Sequence, residues 1–130
     1  MTALSNYSEL KILDLLFKNT TFTAPNAYLG LFTAAPNDAG GGTEVSGNDY
    51  ARVQIDTKMA SAASGAISSN ADITFPTANG GAFGTVTHIG IFDAASSGNL
   101  LAHGALSASR VISDGDTFQI NSGSLTVTID

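Results

Sequence analysis

The sequence contains no cysteine among its 130 residues. Disulfide scaffolds, thiolate zinc fingers, iron–sulfur clusters and thiol catalysis are therefore excluded, since each depends on a cysteine sulfur. A chain of this length forms one domain and buries about two-thirds of the surface that its unfolded form exposes. A covalent or metal cross-link is thus not needed for stability.

Charged residues are also few, and basic residues are fewer than acidic ones. Five Lys and Arg residues stand against eleven Asp and Glu residues, so the net charge is −6. This balance argues against nucleic acid as a partner, because affinity for a phosphate backbone comes from Lys and Arg. Charged residues make up 12% of the chain, about half the usual share. Such a surface is typical of a protein that lies against other subunits, and equally of a β protein whose small residues stay soluble through an acidic excess.

Long hydrophobic runs are missing as well. The most apolar early segment, Leu10 to Phe17, is eight residues long and is interrupted by Lys11 and Asp14. A membrane-spanning helix needs about 20 apolar residues, so we expect neither a transmembrane segment nor a signal peptide. The expectation is a protein that is made in a cytoplasm.

One helix is predicted, over residues 5–18. Asn6 is positioned to cap its first turn, Glu9 follows three residues later as in a capping box, and Lys18 lies at its negative end. The apolar stripe of this helix consists of Leu10, Leu13 and Phe17, with Leu16 beside it. We expect the stripe to dock onto a sheet. The alternative is an arm that contacts a neighbouring subunit.

Two segments, residues 28–36 and 86–94, repeat one pattern. Each contains a glycine between two branched apolar residues, followed by Phe. In a strand, the two apolar residues that flank the glycine share one face. Gly30 and Gly90 weaken strand pairing, which indicates that something packs closely over the backbone there. We predict two central strands with equivalent surroundings.

The remaining segments predict further short strands. Residues 50–56 and 124–129 alternate apolar and polar side chains, and glycine-containing turns separate the other apolar stretches. About seven strands of this kind predict a mainly β fold, a β-sandwich or jelly-roll-like domain with one short N-terminal α-helix. Residues 33–49 form a long glycine-rich loop, and loops beyond about 12–15 residues are often functional. The run Gly40-Gly41-Gly42 is not a phosphate loop, because no Gly-Lys-Ser/Thr follows it.

Residues that could carry chemistry are few. His88 and His103 are the only histidines, and neither has a close-spaced ligand partner for a metal site. The segment Asp114-Gly115-Asp116 lacks the later ligands and closing Glu of an EF-hand loop, so we interpret it as a turn. There is no Gly-x-Ser-x-Gly elbow, and Glu9 and Glu44 do not suggest glycoside hydrolysis. We therefore expect a non-enzymatic protein with no metal and no cofactor.

Six segments together resemble a known protein family. They are Tyr28-Leu29-Gly30-Leu31-Phe32-Thr33-Ala34-Ala35-Pro36, Gly41-Gly42-Thr43-Glu44-Val45-Ser46-Gly47, Tyr50-Ala51-Arg52, Ile73-Thr74-Phe75-Pro76, Gly84 to Ala94, and Gly98-Asn99-Leu100-Leu101. In order and spacing they resemble a family of small structural proteins of tailed bacteriophages, commonly labelled tail-fibre-like, over about residues 8–130. The resemblance implies a component of the virion, assembled in the host bacterial cytoplasm.

The resemblance leaves three functions open. A fibre usually has a shaft of heptads or extended β repeats, and this sequence shows neither. A capsid decoration (cement) protein is therefore the leading hypothesis, with residues 33–49 clamping neighbouring coat subunits. The alternative is a tail-fibre or baseplate component that contacts the host surface. A carbohydrate-binding module is the third possibility, with Tyr7, Tyr28, Tyr50 and Phe83 as its aromatic residues.

The predicted partners are other virion proteins, either the major capsid protein or tail proteins, together with further copies of this chain. A position in a virion has a local symmetry that its occupants match, often threefold, so we predict a homo-oligomer, specifically a trimer. Neither nucleic acid nor a membrane is an expected partner. The candidate contact residues are Asn37, Asp38, Glu44, Tyr50 and Arg52. Tyrosine and arginine are frequent in interface hot spots.

Overall fold

The described part of the chain, residues 2–129 of a computed structural model, is built mainly from β-strands. In chain order the elements are β1 (Thr2–Leu4), α1 (Asn6–Phe17), β2 (Tyr28–Ala34), β3 (Thr43–Glu44), β4 (Val53–Gln54), a 3₁₀ turn (Asp56–Lys58), β5 (Ala66–Ser68), β6 (Ile73–Thr74), β7 (Gly84–Phe92), β8 (Leu100–Ile112), β9 (Gln119–Ile120) and β10 (Thr126–Thr128). One mixed sheet runs in the order β3-β2-β7-β8-β1-β10-β5, with β4 also on β2, while β6 and β9 form a separate pair. The prediction of a mainly β fold with one N-terminal helix is confirmed.

The hydrophobic core lies between the large sheet and the β6–β9 pair. The aliphatic residues that flank the two glycines are buried, namely Leu29, Leu31, Ile89 and Ile91. They form one cluster with Ile73 of β6 and with Phe75, which follows it. Two layers around one apolar core are what the predicted β-sandwich requires.

The two repeated segments pair directly with each other. β2 and β7 are antiparallel neighbours, and Gly30 lies opposite Gly90. A Cβ atom on Gly90 would lie 2.8 Å from a ring carbon of Phe32, and a Cβ atom on Gly30 would lie 2.7 Å from Oε1 of Glu44. The prediction that groups pack closely over both glycines is therefore confirmed. The surroundings differ in kind, because rings cover one glycine and a carboxylate covers the other.

The helix forms where it was predicted, but its apolar stripe is exposed and is not packed on the sheet. It spans Asn6–Phe17 instead of 5–18, and Ser5 caps it in place of Asn6, since the Ser5 hydroxyl accepts from the backbone N–H of Ser8. The four stripe residues Leu10, Leu13, Leu16 and Phe17 are all exposed. The prediction that this stripe docks onto the sheet is wrong.

Hydrogen bonds at the start of α1 set its orientation. β1 pairs antiparallel with β8 and parallel with β10, so the chain enters the helix directly from the sheet. The Ser5 hydroxyl donates to the carbonyl of Leu100, and the Ser8 hydroxyl donates to the carbonyl of Leu101 at 2.7 Å. These two bonds fix the start of α1 on β8, and the four stripe residues that follow are exposed.

The segment predicted as a long loop contains regular structure. β2 continues to Ala34, and Asn37 and Gly40 form an isolated bridge across a tight turn. Thr43–Glu44 then pairs back onto β2 as β3, with a register shift between Phe32 and Ala34. Within residues 33–49 the strand pairing is limited to the end of β2, to β3 and to the Asn37–Gly40 bridge, and the other residues form turns and loops.

Candidate interaction surface

Three of the five predicted contact residues, Glu44, Tyr50 and Arg52, lie together at the edge of β2. Glu44 Oε1 accepts from the Tyr50 hydroxyl and from Arg52 Nε, both at 2.8 Å. The Glu44 carboxylate also lies over Gly30, so a side chain at that position would displace it. The glycine of the first repeat therefore makes room for this cluster.

Arg52 ties two loops together. Its guanidinium donates two 2.8 Å bonds to the Glu44 carboxylate and two 2.8 Å bonds to the carbonyls of Ala94 and Ser97. The guanidinium carbon lies 3.6 Å from the centre of the Phe92 ring. Only 6% of the side chain is exposed, so the charge is almost entirely paired within the fold. Arg52 thus fixes the segment after β3 to the turn after β7.

Tyr50 closes a gap in the hydrogen bonding of β2. The β2 edge pairs with β4 at one end and with β3 at the other. Between them, the Tyr50 hydroxyl accepts from the N–H of Leu31 at 2.9 Å and donates to Glu44 at 2.8 Å. The ring packs edge-on against Phe83 and parallel to Phe75. Burial, more than any hydrogen bond, raises the pKa of the Tyr50 phenol well above its ordinary value, so the hydroxyl stays a proton donor to Glu44.

The other two predicted residues, Asn37 and Asp38, form a separate and exposed group on the turn after β2. Asn37 Oδ1 accepts from the N–H of Ala39 at 2.9 Å, which fixes the turn. Asp38 Oδ1 lies 2.7 Å from Nε2 of His103 on β8. The Asp38 carbonyl accepts from the N–H of Asn6 at 3.0 Å. The turn is therefore held against both β8 and the start of α1.

Groups that could hold a metal are not gathered in the described part of the chain. Within residues 2–129, no three His, Cys, Asp or Glu side chains lie close enough together to bind a metal ion. His88 Nδ1 lies 2.8 Å from the Thr87 hydroxyl, and His103 is engaged with Asp38.

No helix within residues 2–129 is long and apolar enough to cross a membrane. The described residues thus form exposed loops on a sheet, and polar side chains hold these loops in place.

Comparison with known proteins identifies the family. A family model described as Podophage GP4 fiber I protein gp80 matches residues 3–128. The chain belongs to this family. Membership in the gp80 fibre family confirms the resemblance to tail-fibre-like phage proteins and implies a virion component that contacts other virion proteins. No curated protein matches the chain.

The gp80 family match also changes the order of the functional hypotheses. A family of phage fibre proteins favours the tail-fibre alternative over capsid decoration. Capsid decoration was favoured because the sequence shows no shaft pattern. A fibre can contain small domains besides its shaft, so that absence does not decide between the two.

Sequence reasoning missed two features of this surface. His103, the partner of Asp38, lies 65 positions away, and no local pattern marks such a pair. The outward direction of the α1 stripe was also missed. Ser5 and Ser8 bond to carbonyls of β8 about 95 positions away, and no local pattern marks these partners either.

Proposed function

We propose that this chain is a structural component of a podophage fibre and that its polar loops contact the host surface. The observation that carries the proposal is the family match over residues 3–128, which includes the whole of the large sheet except Thr2 of β1. Because one fold can serve many functions, the contact surface has to be argued from its own residues.

The proposed contact surface is a pair of loops, residues 45–49 and 94–98, named here the loop pair. Arg52 holds the two together through 2.8 Å bonds to Glu44, at the base of the first loop, and to the carbonyls of Ala94 and Ser97 in the second. Loops on a rigid scaffold commonly carry binding residues, because binding then costs little ordering of the chain. Arg52, Glu44 and Tyr50 serve this surface as positioning residues.

The exposed turn at Asn37 and Asp38 is a second part of the proposed surface. Both residues are open to solvent, and the hydrogen bond that the Asp38 carboxylate accepts from His103 holds the turn in one position. Contacts with neighbouring virion proteins and with further copies of this chain complete the proposal. The trimer expected from the sequence remains a prediction.

Cryo-electron microscopy of the intact virion tests the location. We expect density that fits residues 2–129 in a tail fibre or at its attachment. Density that repeats over the capsid would overturn the fibre proposal and restore capsid decoration. Density at the tail tip without a fibre would identify a baseplate component and would also count against it.

Competition for phage adsorption tests the loop pair. The purified chain should slow adsorption of the phage to its host, and Ser96→Arg, within residues 94–98, should weaken this competition at least tenfold. Ser109→Arg on β8 is the matched control, because Ser109 is also exposed and receives the same charge and bulk. Absence of competition by the unmodified chain, or equal competition by both variants, would refute host contact through these loops.

A further inference from the structure

The apolar stripe of α1 is the largest unexplained feature of the surface. Relative exposures are 63% for Leu10, 53% for Leu13, 65% for Leu16 and 80% for Phe17. No residue of α1 is buried. Leu15 of α1 is also exposed, at 46%. Single exposed leucines are common on soluble proteins, but five large apolar side chains on one helix are not.

The stripe is held in this exposed position by the rest of the fold. The Ser8 hydroxyl donates to the Leu101 carbonyl at 2.7 Å, and the backbone N–H groups of Ser5 and Asn6 donate to the carbonyls of Leu101 and Asp38 at 2.9 and 3.0 Å. Turning the stripe towards the sheet would break these bonds and would bury polar groups without partners. The stripe is therefore available only to something outside this chain.

The area of the stripe is what a small dimer contact needs. With about 180 Å² for a fully exposed leucine and about 210 Å² for a phenylalanine, the four residues expose about 500 Å² per copy. Two copies that cover each other's stripes would bury about 1,000 Å², which is the lower bound for a specific interface. A groove of about 480 Å³ beside the stripe, lined in part by Ile12, Leu13 and Ile129, adds apolar surface next to it.

Charge also favours a second copy of the same chain at this position. The chain as a whole carries −6, with only five basic residues. In and next to α1, Glu9 and Asp14 are balanced by Lys11 and Lys18. Two copies can therefore bring their helices together without the repulsion that most other faces would produce.

We propose that copies of this chain associate through the stripes of their α1 helices. Every copy carries the same stripe, so each molecule of the chain is a possible partner for every other. Association of copies therefore covers the apolar surface without a second protein. The contact needs no other virion protein. It can be tested separately from the host-contact proposal, because α1 and the loop pair are different parts of the surface.

Sedimentation analysis of the purified full chain tests the association. We expect species that are multiples of 13.2 kDa, whose number of copies shows whether the predicted trimer forms. Leu13→Glu, in the middle of the stripe, should raise the dissociation constant at least tenfold. Val111→Glu is the matched control, because Val111 is 70% exposed on β8 and receives the same charge. A monomer at all concentrations, or an oligomer equally stable in both variants, would overturn the proposal.

Cross-linking gives a second test that does not depend on weakening the assembly. The chain has no cysteine, so a single introduced cysteine can link only to another copy. Leu13→Cys should form disulfide-linked chains under mild oxidation, because stripes that pack together bring their centres close. Val111→Cys should stay unlinked. Equal linking of the two variants, or none in Leu13→Cys, would show that the stripes do not meet.

Discussion

Replacing Tyr50 by phenylalanine tests the account of the Glu44–Tyr50–Arg52 cluster most directly. The substitution removes only the hydroxyl, so the ring can keep its packing against Phe75 and Phe83. It leaves the N–H of Leu31, a residue with 0% exposure, without its 2.9 Å acceptor. Glu44 loses one donor but keeps both bonds from Arg52.

The size of the effect follows from these bonds. An N–H left buried without a partner costs about 1–3 kcal/mol. The bond to Glu44 adds little, because the carboxylate remains paired with Arg52. We expect a loss of about 2 kcal/mol in the free energy of unfolding, which for a domain of this size lowers Tm by roughly 6–10 °C.

Thermal and urea unfolding followed by circular dichroism measure the loss. Tyr28→Phe is the matched control, because Tyr28 also lies on β2 but is only half-buried, and the substitution is the same. That variant should unfold within about 0.5 kcal/mol of the unmodified chain. If Tyr50→Phe is as stable as Tyr28→Phe, the Leu31 N–H does not depend on the hydroxyl, and the reasoning is wrong.

Two further outcomes follow from the same geometry. The pKa of Tyr50 is raised in the folded chain, above all by burial, so its stabilising contribution is complete below the unfolded pKa of about 10 and is lost as the pH rises above it. Urea unfolding between pH 8 and 11 should show that the free energy of unfolding declines with pH, and that it declines less in Tyr50→Phe. Equal declines in the two proteins would contradict the raised pKa of Tyr50. Gly90→Ala should destabilise the chain by about 1–3 kcal/mol, because the new Cβ would lie 2.8 Å from a Phe32 ring carbon and 3.1 Å from Leu100. Thermal unfolding measures this loss, and unchanged stability would mean that the rings move aside.

The central strands could be predicted because their signals are local. Alternation within a few residues identifies which side chains share a face, and Gly30 and Gly90 mark places where a neighbour comes close. That these two glycines lie opposite each other was not predictable from either segment alone. Register is set by partners that are distant in sequence, and the two segments lie about sixty positions apart.

The candidate surface was harder to predict, because its contacts are long-range. Arg52 bonds to carbonyls 42 and 45 positions away, and any polar turn offers carbonyls. β1 is three residues long and pairs with Gly104 and Val127 through Thr2, so no periodicity reveals it. The missed strand also explains the error about α1. A helix that leaves the edge of a paired strand has its orientation fixed by that strand, whatever its own apolar pattern.

The two proposals reinforce each other through the start of α1. The backbone N–H of Asn6 donates to the carbonyl of Asp38 at 3.0 Å, so the helix and the exposed turn move as one body. Copies joined through their stripes would then present several turns and loop pairs in a fixed relation. A loop surface with little charge and few aromatic side chains gives a weak contact by itself. Joining copies makes each later contact intramolecular, which can raise the overall affinity by 10²–10⁴ without any new residue at the loops. On this reasoning the apolar stripe would determine how strongly the loops hold the host, although it makes no contact with the host itself.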